Sequence, residues 1–267
     1  MRRVQANLAI LHRLWEDSLT IGLIAEPLES VASSEDAATV CDRMKSRNWD
    51  VIGVCDGGEA EASAYYLHQQ DLKDGHCGQY AQRFEIQDIV APSAPIYQSL
   101  HWLCERKRLF VLGRKGVEGI VSIADLQKQP VRLMLFAAVS LLEMAMLARI
   151  RQLFAKEEEW AAKLSEGRIQ KARELHAQRG QKGQDIDLAD CLCLSDKATI
   201  LLKSSDECEV WGFTSKHVAE KFFKPVQTLR DNLAHGHDPS QGADWAEICT
   251  MFTKAQEITH RMSELHS

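Results

Sequence analysis

Two residues in the stretch LRDNLAHGHD, positions 229 to 238, have types suited to chemistry on a phosphate ester: Arg230 and, five positions on, His235. A histidine titrates near neutral pH and can take up or release a proton, while a guanidinium matches two phosphate oxygens at once. On a regular helix a spacing of five turns the two side chains about 140° apart and separates them by about 7.5 Å along the axis. The pair therefore does not converge within one helix. Gly236, a helix-stopping residue, lets His235 swing from a frayed end, or else a second chain completes the site across a two-fold axis. Asp231 or Asn232 stands ready to orient His235 or a phosphate. A plainer reading has Arg230 paired with an acid, Glu143 in the middle of an apolar helix being one partner, and His235 capping the helix C-terminus. His237 and Asp238 form an H-x-H-D string but lack the second Asp-His pair of metallo-hydrolases, so they are assigned to solvent or to polarity on the substrate side, and no metal is expected.

The elements that must hold these residues are legible in the periodicity. After Pro130, a first-turn helix residue, Leu135, Val139, Leu142, Met146, Ile150 and Phe154 recur every three or four positions and mark a long helix with one apolar face. A second helix is expected from about Lys156 to Gln178, and a third from near Asp187 through LADCLCLSDKATILLK. SDECEVWGFTS reads as a connector; KHVAEKFF and PVQTLRDNLAH read as helices joined or kinked at Pro225; Trp245, Ile248, Phe252 and Ala255 define a last helix. Residues 131–267 thus read as an all-α bundle of four or five helices, with Met144, Met146 and Met251 as core filling.

The first half reads differently, because it repeats. AATVCDRMKSRNWDVIGVCDGGEAEASAYYLHQQDL parallels IYQSLHWLCERKRLFVLGRKGVEGIVSIADL: a helix with Met44 and Leu103 in step, an arginine (Arg47, Arg106), a short apolar strand, a glycine-rich turn, a second strand, then Asp-Leu. Helices and first strands match at an offset of 59 positions and the Asp-Leu pairs at 54, the difference being a longer turn, DGGEAEA, in the first copy. The expected organisation is an N-terminal helix over 1–19, an α+β repeat pair over 20–128 and the helical bundle over 131–267.

Composition bounds the function class. At 267 residues and 45% hydrophobic, the chain has ample material for buried cores. Glu143 and Arg149 interrupt its most apolar run, so no membrane span is expected, and the charged N-terminus does not form a signal-peptide core, which points to a cytoplasmic protein. The formal charge of −6, divided as −4 up to Lys128 and −2 after it, offers nucleic acid no bulk attraction, so any contact would be local. Eight scattered cysteines read as reduced, mostly buried thiols, and Cys191 and Cys193, a lone CxC on an expected helix, do not make a zinc site.

The repeated helix-strand-strand-helix unit resembles the CBS domain pair, and GIVSIADL, Gly119 to Leu126, carries the likeness best, with Ser three places before Asp. The resemblance implies a regulatory module in which Ser122 and Asp125 hold the phosphate and ribose of an adenine nucleotide such as AMP, ADP or ATP. Asp71 is the matching carboxylate of the first copy, which departs from the pattern by carrying His68 in place of Ser or Thr. The chemistry fits, since a carboxylate accepts two hydrogen bonds from a ribose diol; the bland alternative is that Ser122 and Asp125 cap a helix N-terminus.

The late-helix string LRDNLAHG is similar to the R-x4-to-6-H hallmark of the HEPN family. That resemblance implies a metal-independent endoribonuclease acting on RNA as a homodimer, in which His235 manages the 2′-hydroxyl or leaving-oxygen proton, Arg230 stabilises the phosphorane charge and Asp231 is the family-matched polar residue. Together the resemblances predict an α+β CBS-pair domain followed by an all-α HEPN-like helical bundle: a nucleotide-regulated ribonuclease in signal transduction, as a toxin or in phage defence, with an antitoxin or other regulatory partner. The alternative is a non-catalytic nucleotide-sensing scaffold.

Overall fold

The computed structural model describes residues 10–11, 13–15, 17–55, 63–204 and 207–264. The expected longer turn, 56–62, and the first nine residues of the expected N-terminal helix lie outside the described residues. The chain divides into two compact units, Leu14–Val131 and Met1–Arg13 with Arg132–Ser267.

The N-terminal unit is α+β. Its strands are β1 (Glu26–Pro27), β2 (Ser30–Ala32), β3 (Val51–Cys55), β4 (Tyr65–His68), β5 (Gln82–Arg83), β6 (Ile89–Val90), β7 (Arg108–Leu112) and β8 (Val117–Ser122), and its helices are α1 (Ala37–Arg47) and α2 (Ile96–Arg106). They form two four-stranded sheets, ordered β2-β3-β4-β5 and β1-β8-β7-β6. The order β-α-β-β therefore occurs twice. In each copy the strand before the helix pairs parallel with the strand after it, which requires the helix as the crossover. β1, ahead of the first copy, pairs antiparallel with the last strand of the second copy, while β5, ahead of the second copy, pairs with the last strand of the first.

Local signals explain the helices. Asp36 caps α1 by accepting the Thr39 amide at 2.9 Å, and both helices end on a residue in the left-handed region, Asn48 at φ 55° and Lys107 at φ 69°. Met44 and Leu103 are both fully buried, as their shared register requires.

The strand register corrects one expectation. Val54 pairs with Val31 and Tyr65, and Val111 pairs with Val90 and Gly119, so the first strands correspond at 57 positions rather than 59. Trp49 and Asp50 intervene between Asn48 and β3, whereas Lys107 runs directly into β7. Two of the five extra residues of the first copy therefore precede the strand, and the hairpin holds the other three. Gly53 and Phe110 are consequently equivalent positions.

The second unit is helical: α3 (Gln129–Leu153), α4 (Glu157–Ala161), α5 (Glu166–Gln181), α6 (Leu194–Leu202), α7 (Glu207–Val210), α8 (Lys216–Ala234) and α9 (Trp245–Glu264). Leu135, Ala138 and Val139 of α3, Val226 and Leu229 of α8, and Met251, Phe252 and Ala255 of α9 meet around one small apolar gap. By length and composition α3 is a helix that could cross a membrane, although Glu143 and Arg149 argued otherwise from sequence; half of its apolar window is buried inside the structure, and a core helix passes the same test.

Several expected boundaries shift. The helix foreseen over 156–178 is two, α4 and α5, because Ser165 adopts an extended backbone between them and α5 runs on to Gln181. The expected third helix opens with a 3-10 turn, Leu188–Cys191, closed by an Asp187/Asp190 capping box. Cys193 is then the N-cap of α6 rather than a mid-helix residue. The connector SDECEV contains α7, held down by a buried ion pair: Glu207, 3% exposed, receives Arg149 Nη2 at 2.6 Å and Nε at 3.1 Å. Met146 and Met251 are core residues, but Met144 is 37% exposed, since it lies on the opposite face of α3 from Leu142 and Met146. Pro225 sits inside the continuous α8, where it costs one backbone hydrogen bond without ending the helix. All eight cysteines are free thiols and five are buried.

Candidate functional site

In the N-terminal unit Ser122 ends β8 and Asp125 lies in the 3-10 turn that follows, Ile123–Gln127. Their side chains are already engaged with each other. Asp125 Oδ2 accepts the Ser122 amide at 2.7 Å and the Ser122 hydroxyl at 2.9 Å, while Oδ1 pairs with Lys128 Nζ at 2.9 Å. The Lys128 ammonium also donates to the Ile24 carbonyl at 2.6 Å and pairs with Glu26. Burial works against the Lys128 charge, but Glu26 and Asp125 outweigh it and hold the ammonium above its ordinary pKa. The carboxylate half of a capping arrangement is thus present, with Asp125 accepting the Ser122 amide.

The same two residues nevertheless open onto a cavity of about 280 Å³, whose wall also includes Glu26, Glu29, Trp49, Asp50, Lys107 and Arg108. Arg108 pairs with Ser122 across the β7–β8 ladder, which brings its side chain to that wall. Its Nη2 lies 3.2 Å from His68 Nδ1. Burial first, and the Arg108 charge second, hold His68 below the ordinary histidine pKa. Among the described residues no carboxylate lies within ion-pair distance of Arg108, whose hydrogen-bond partner is the His68 ring.

Asp71, the first-copy counterpart, lies outside that wall and accepts from Gln82 Nε2 at 3.1 Å. Ser122 and Asp125 are therefore brought together and Asp71 is not. The sequence reading missed Lys107, Arg108, Trp49 and Asp50. Arg108 was within reach of it, since an antiparallel hairpin places the first residue of one strand opposite the last of the other.

In the helical unit the LRDNLAHG string closes α8. His235 is its C-cap residue and Gly236 follows at φ 74°; the His237 amide reaches the Asn232 carbonyl at 2.8 Å, as in a Schellman motif. The Arg230 guanidinium is fixed by two carboxylates, with Nε 3.3 Å from Glu143 Oε1 and Nη1 3.2 Å from Asp231 Oδ1. Glu143 is shared with Lys197, 7% exposed, at 3.4 Å. Asp231 in turn accepts from Gln227 Nε2 at 2.9 Å and 3.0 Å. Asn232 is buried and donates to the Gln241 carbonyl at 2.9 Å, which makes it a fixture of the turn.

His235 is exposed and, among the described residues, its ring nitrogens have no hydrogen-bond partner. Its ring centroid lies 6.0 Å from that of His237. Among the described residues no group of three or more His, Cys, Asp or Glu could hold a metal ion, His237 and Asp238 included. Arg230, at 39% side-chain exposure, remains open on one side, so an anion can reach it by competing with Asp231.

No family model and no curated protein matches this chain. Its solved structural neighbours include proteins with CBS domains. They include CBSX2 in complex with AMP (15% identity, TM-score 0.36, covering 41% of this chain and 93% of that one). AcuB, an acetoin utilization protein from Vibrio cholerae, has 13% identity and a TM-score of 0.35, covering 40% of this chain and 86% of that one. The CBS domain of a bacterial CNNM/CorC family Mg2+ transporter in complex with ATP has 12% identity and a TM-score of 0.36, covering 48% of this chain and 96% of that one. At such identities and scores the likeness bears on neither ligand nor activity.

Proposed function

We propose that the chain is a nucleotide-responsive regulator whose N-terminal unit takes an adenine nucleotide in the cavity bounded by Ser122, Asp125 and Arg108. One observation carries this reading: a carboxylate suited to a ribose diol, a hydroxyl, and a guanidinium with no direct carboxylate partner among the described residues line one cavity of about 280 Å³. Glu26, Glu29 and Asp50 on the same wall repel additional negative charge, which favours AMP over ADP and ATP. A ligand that binds the folded state raises the melting temperature, so AMP at millimolar concentration should shift it upward in the native protein and in Asp71→Ala, and much less in Asp125→Ala and Arg108→Gln. The absence of any shift with AMP, ADP or ATP refutes the reading.

The effector function we assign to the helical unit is that of a HEPN-like, metal-independent endoribonuclease. The favouring observation is the exposed His235 ring, without a hydrogen-bond partner among the described residues, at the end of the helix that carries the Glu143-anchored Arg230. The five-residue spacing then requires a homodimer to bring one arginine and one histidine to the same phosphate, with Asp231 orienting the arginine. RNA incubated with EDTA and native protein should be cut, and His235→Ala and Arg230→Ala should abolish cutting. Equal background cleavage by all three proteins leaves the alternative, a non-catalytic scaffold.

A further inference from the structure

A second cavity, of about 420 Å³, lies within the helical unit between α6 and α8, with Arg168 of α5 at its edge. We propose that it is a binding site for a nucleoside monophosphate, separate from the cavity of the N-terminal unit.

The charge at its rim is the first argument. Arg168, Lys203, Lys216 and Lys224 line it against a single carboxylate, Glu220, in a chain of formal charge −6. Part of that charge is answered locally, since Arg168 Nε lies 3.4 Å from Asp196 and Lys216 Nζ 3.8 Å from Glu220. The remainder is not. Lys203 Nζ donates to the Lys163 carbonyl at 2.7 Å, a neutral partner, and Lys224 Nζ has no partner among the described residues. Two ammonium groups without counter-ions on one concave wall favour an anion there.

The floor is the second argument. Ala198, Leu202 and Phe223 are buried and apolar, and they form the bottom of the cavity beneath the lysines. Inorganic phosphate would leave that floor wet, whereas an organic phosphate covers it with its body and meets the lysines with its head. The volume lies within the roughly 300–1,000 Å³ usual for small-molecule sites. Hydrogen-bonding groups for a base and a sugar stand between floor and rim: the hydroxyls of Thr199 and Thr228 donate to the backbone carbonyls of Ser195 and Lys224 and keep their oxygens as acceptors. Gln227, on the same wall, accepts the Ser195 amide at 3.2 Å and donates to Asp231, so an occupant touching Gln227 is one residue from the Arg230 cluster.

UMP, uridine and inorganic phosphate, titrated calorimetrically into the full chain without metal, test this. UMP should bind more tightly than either of the others, and more weakly as salt rises. The double variant Lys203→Gln/Lys224→Gln, which removes two charge-assisted contacts, should weaken UMP binding by at least about tenfold. Thr228→Trp, at an exposed wall position, should block it. Asp125→Ala should leave it unchanged, which separates this site from the proposed adenine-nucleotide cavity. The proposal is overturned if UMP does not bind, binds no better than uridine, or binds the double variant equally well, or if Asp125→Ala alone removes binding. Melting temperatures of the variants within a few degrees of native show that any loss is local.

Discussion

In the second copy of the N-terminal repeat, Asp125 closes a capping box on Ser122 and pairs with Lys128, and Phe110 packs its ring 4.9 Å from Tyr66 and 4.7 Å from Phe84. In the first copy the same backbone positions hold Asp71, which meets only a glutamine amide among the described residues, His68 in place of the serine, and Gly53 in place of the phenylalanine. The strands, helices and left-handed caps correspond, yet the polar groups do not. A duplicated backbone thus leaves one copy equipped to present a hydroxyl and a carboxylate. The other supplies His68, a neutral ring that holds the Arg108 guanidinium of the first set.

The largest effect that sharpens this contrast is at Gly53 and Phe110. Truncating Phe110, 1% exposed, to alanine should cost about 3–5 kcal/mol in unfolding free energy by denaturant titration. The reverse change is also unfavourable, because a methyl on Gly53 would lie 2.8 Å from Ser63 Cβ and 3.3 Å from the Glu29 carbonyl, and Gly53→Ala should cost about 1–3 kcal/mol. If both substitutions are neutral, the two positions are interchangeable and the asymmetry is superficial.

An intermediate effect separates the two aspartates. Asp125→Ala opens the capping box and strips Lys128 of a carboxylate at a largely buried position, so a loss of about 2 kcal/mol is expected. Asp71→Ala, whose partner is an exposed glutamine contact, should cost less than about 0.5 kcal/mol. Similar losses at both would place the two carboxylates in equivalent environments and erase the distinction.

The smallest effect is the pH response of His68. Its pKa is held low by burial and by Arg108, with Asp71 and Asp50 opposing. The unfolded chain therefore binds this proton more readily than the folded one. The stability His68 confers is full above the unfolded value of about 6.5 and falls as the pH drops through the lower folded value. Denaturation midpoints between pH 8 and pH 5 should decline more steeply for native protein than for His68→Gln; parallel slopes would remove the electrostatic part of the comparison.

Much of this was legible in local patterns. The duplicated helix ending in Arg47 and Arg106, the apolar face of α3 and the stop at Gly236 are set by residues close in sequence, and the structure contains all three. The Glu143–Arg230 pairing was also legible, because a lone acid on an apolar helix must find a cation. Misplacements arose where helix pattern and capping compete over a few residues. Cys193 and Asp196 interrupt what reads as one helix, and the expected connector contains the short helix α7 because Arg149, far away in sequence, neutralises the buried Glu207.

The sequence by itself determined the two-part organisation, the repeat, and the residue types at Ser122, Asp125, Arg230 and His235, because periodicity and short motifs act over a few residues. Only the tertiary structure decided that Arg108 is held by His68, that Ser122 and Asp125 share a wall with Asp50 and Trp49, and that four cations, from α5, α8 and the residue that ends α6, line one cavity with apolar residues. Those groups come from distant segments, and strand register and helix packing, rather than any local propensity, bring their side chains within a few ångströms of one another.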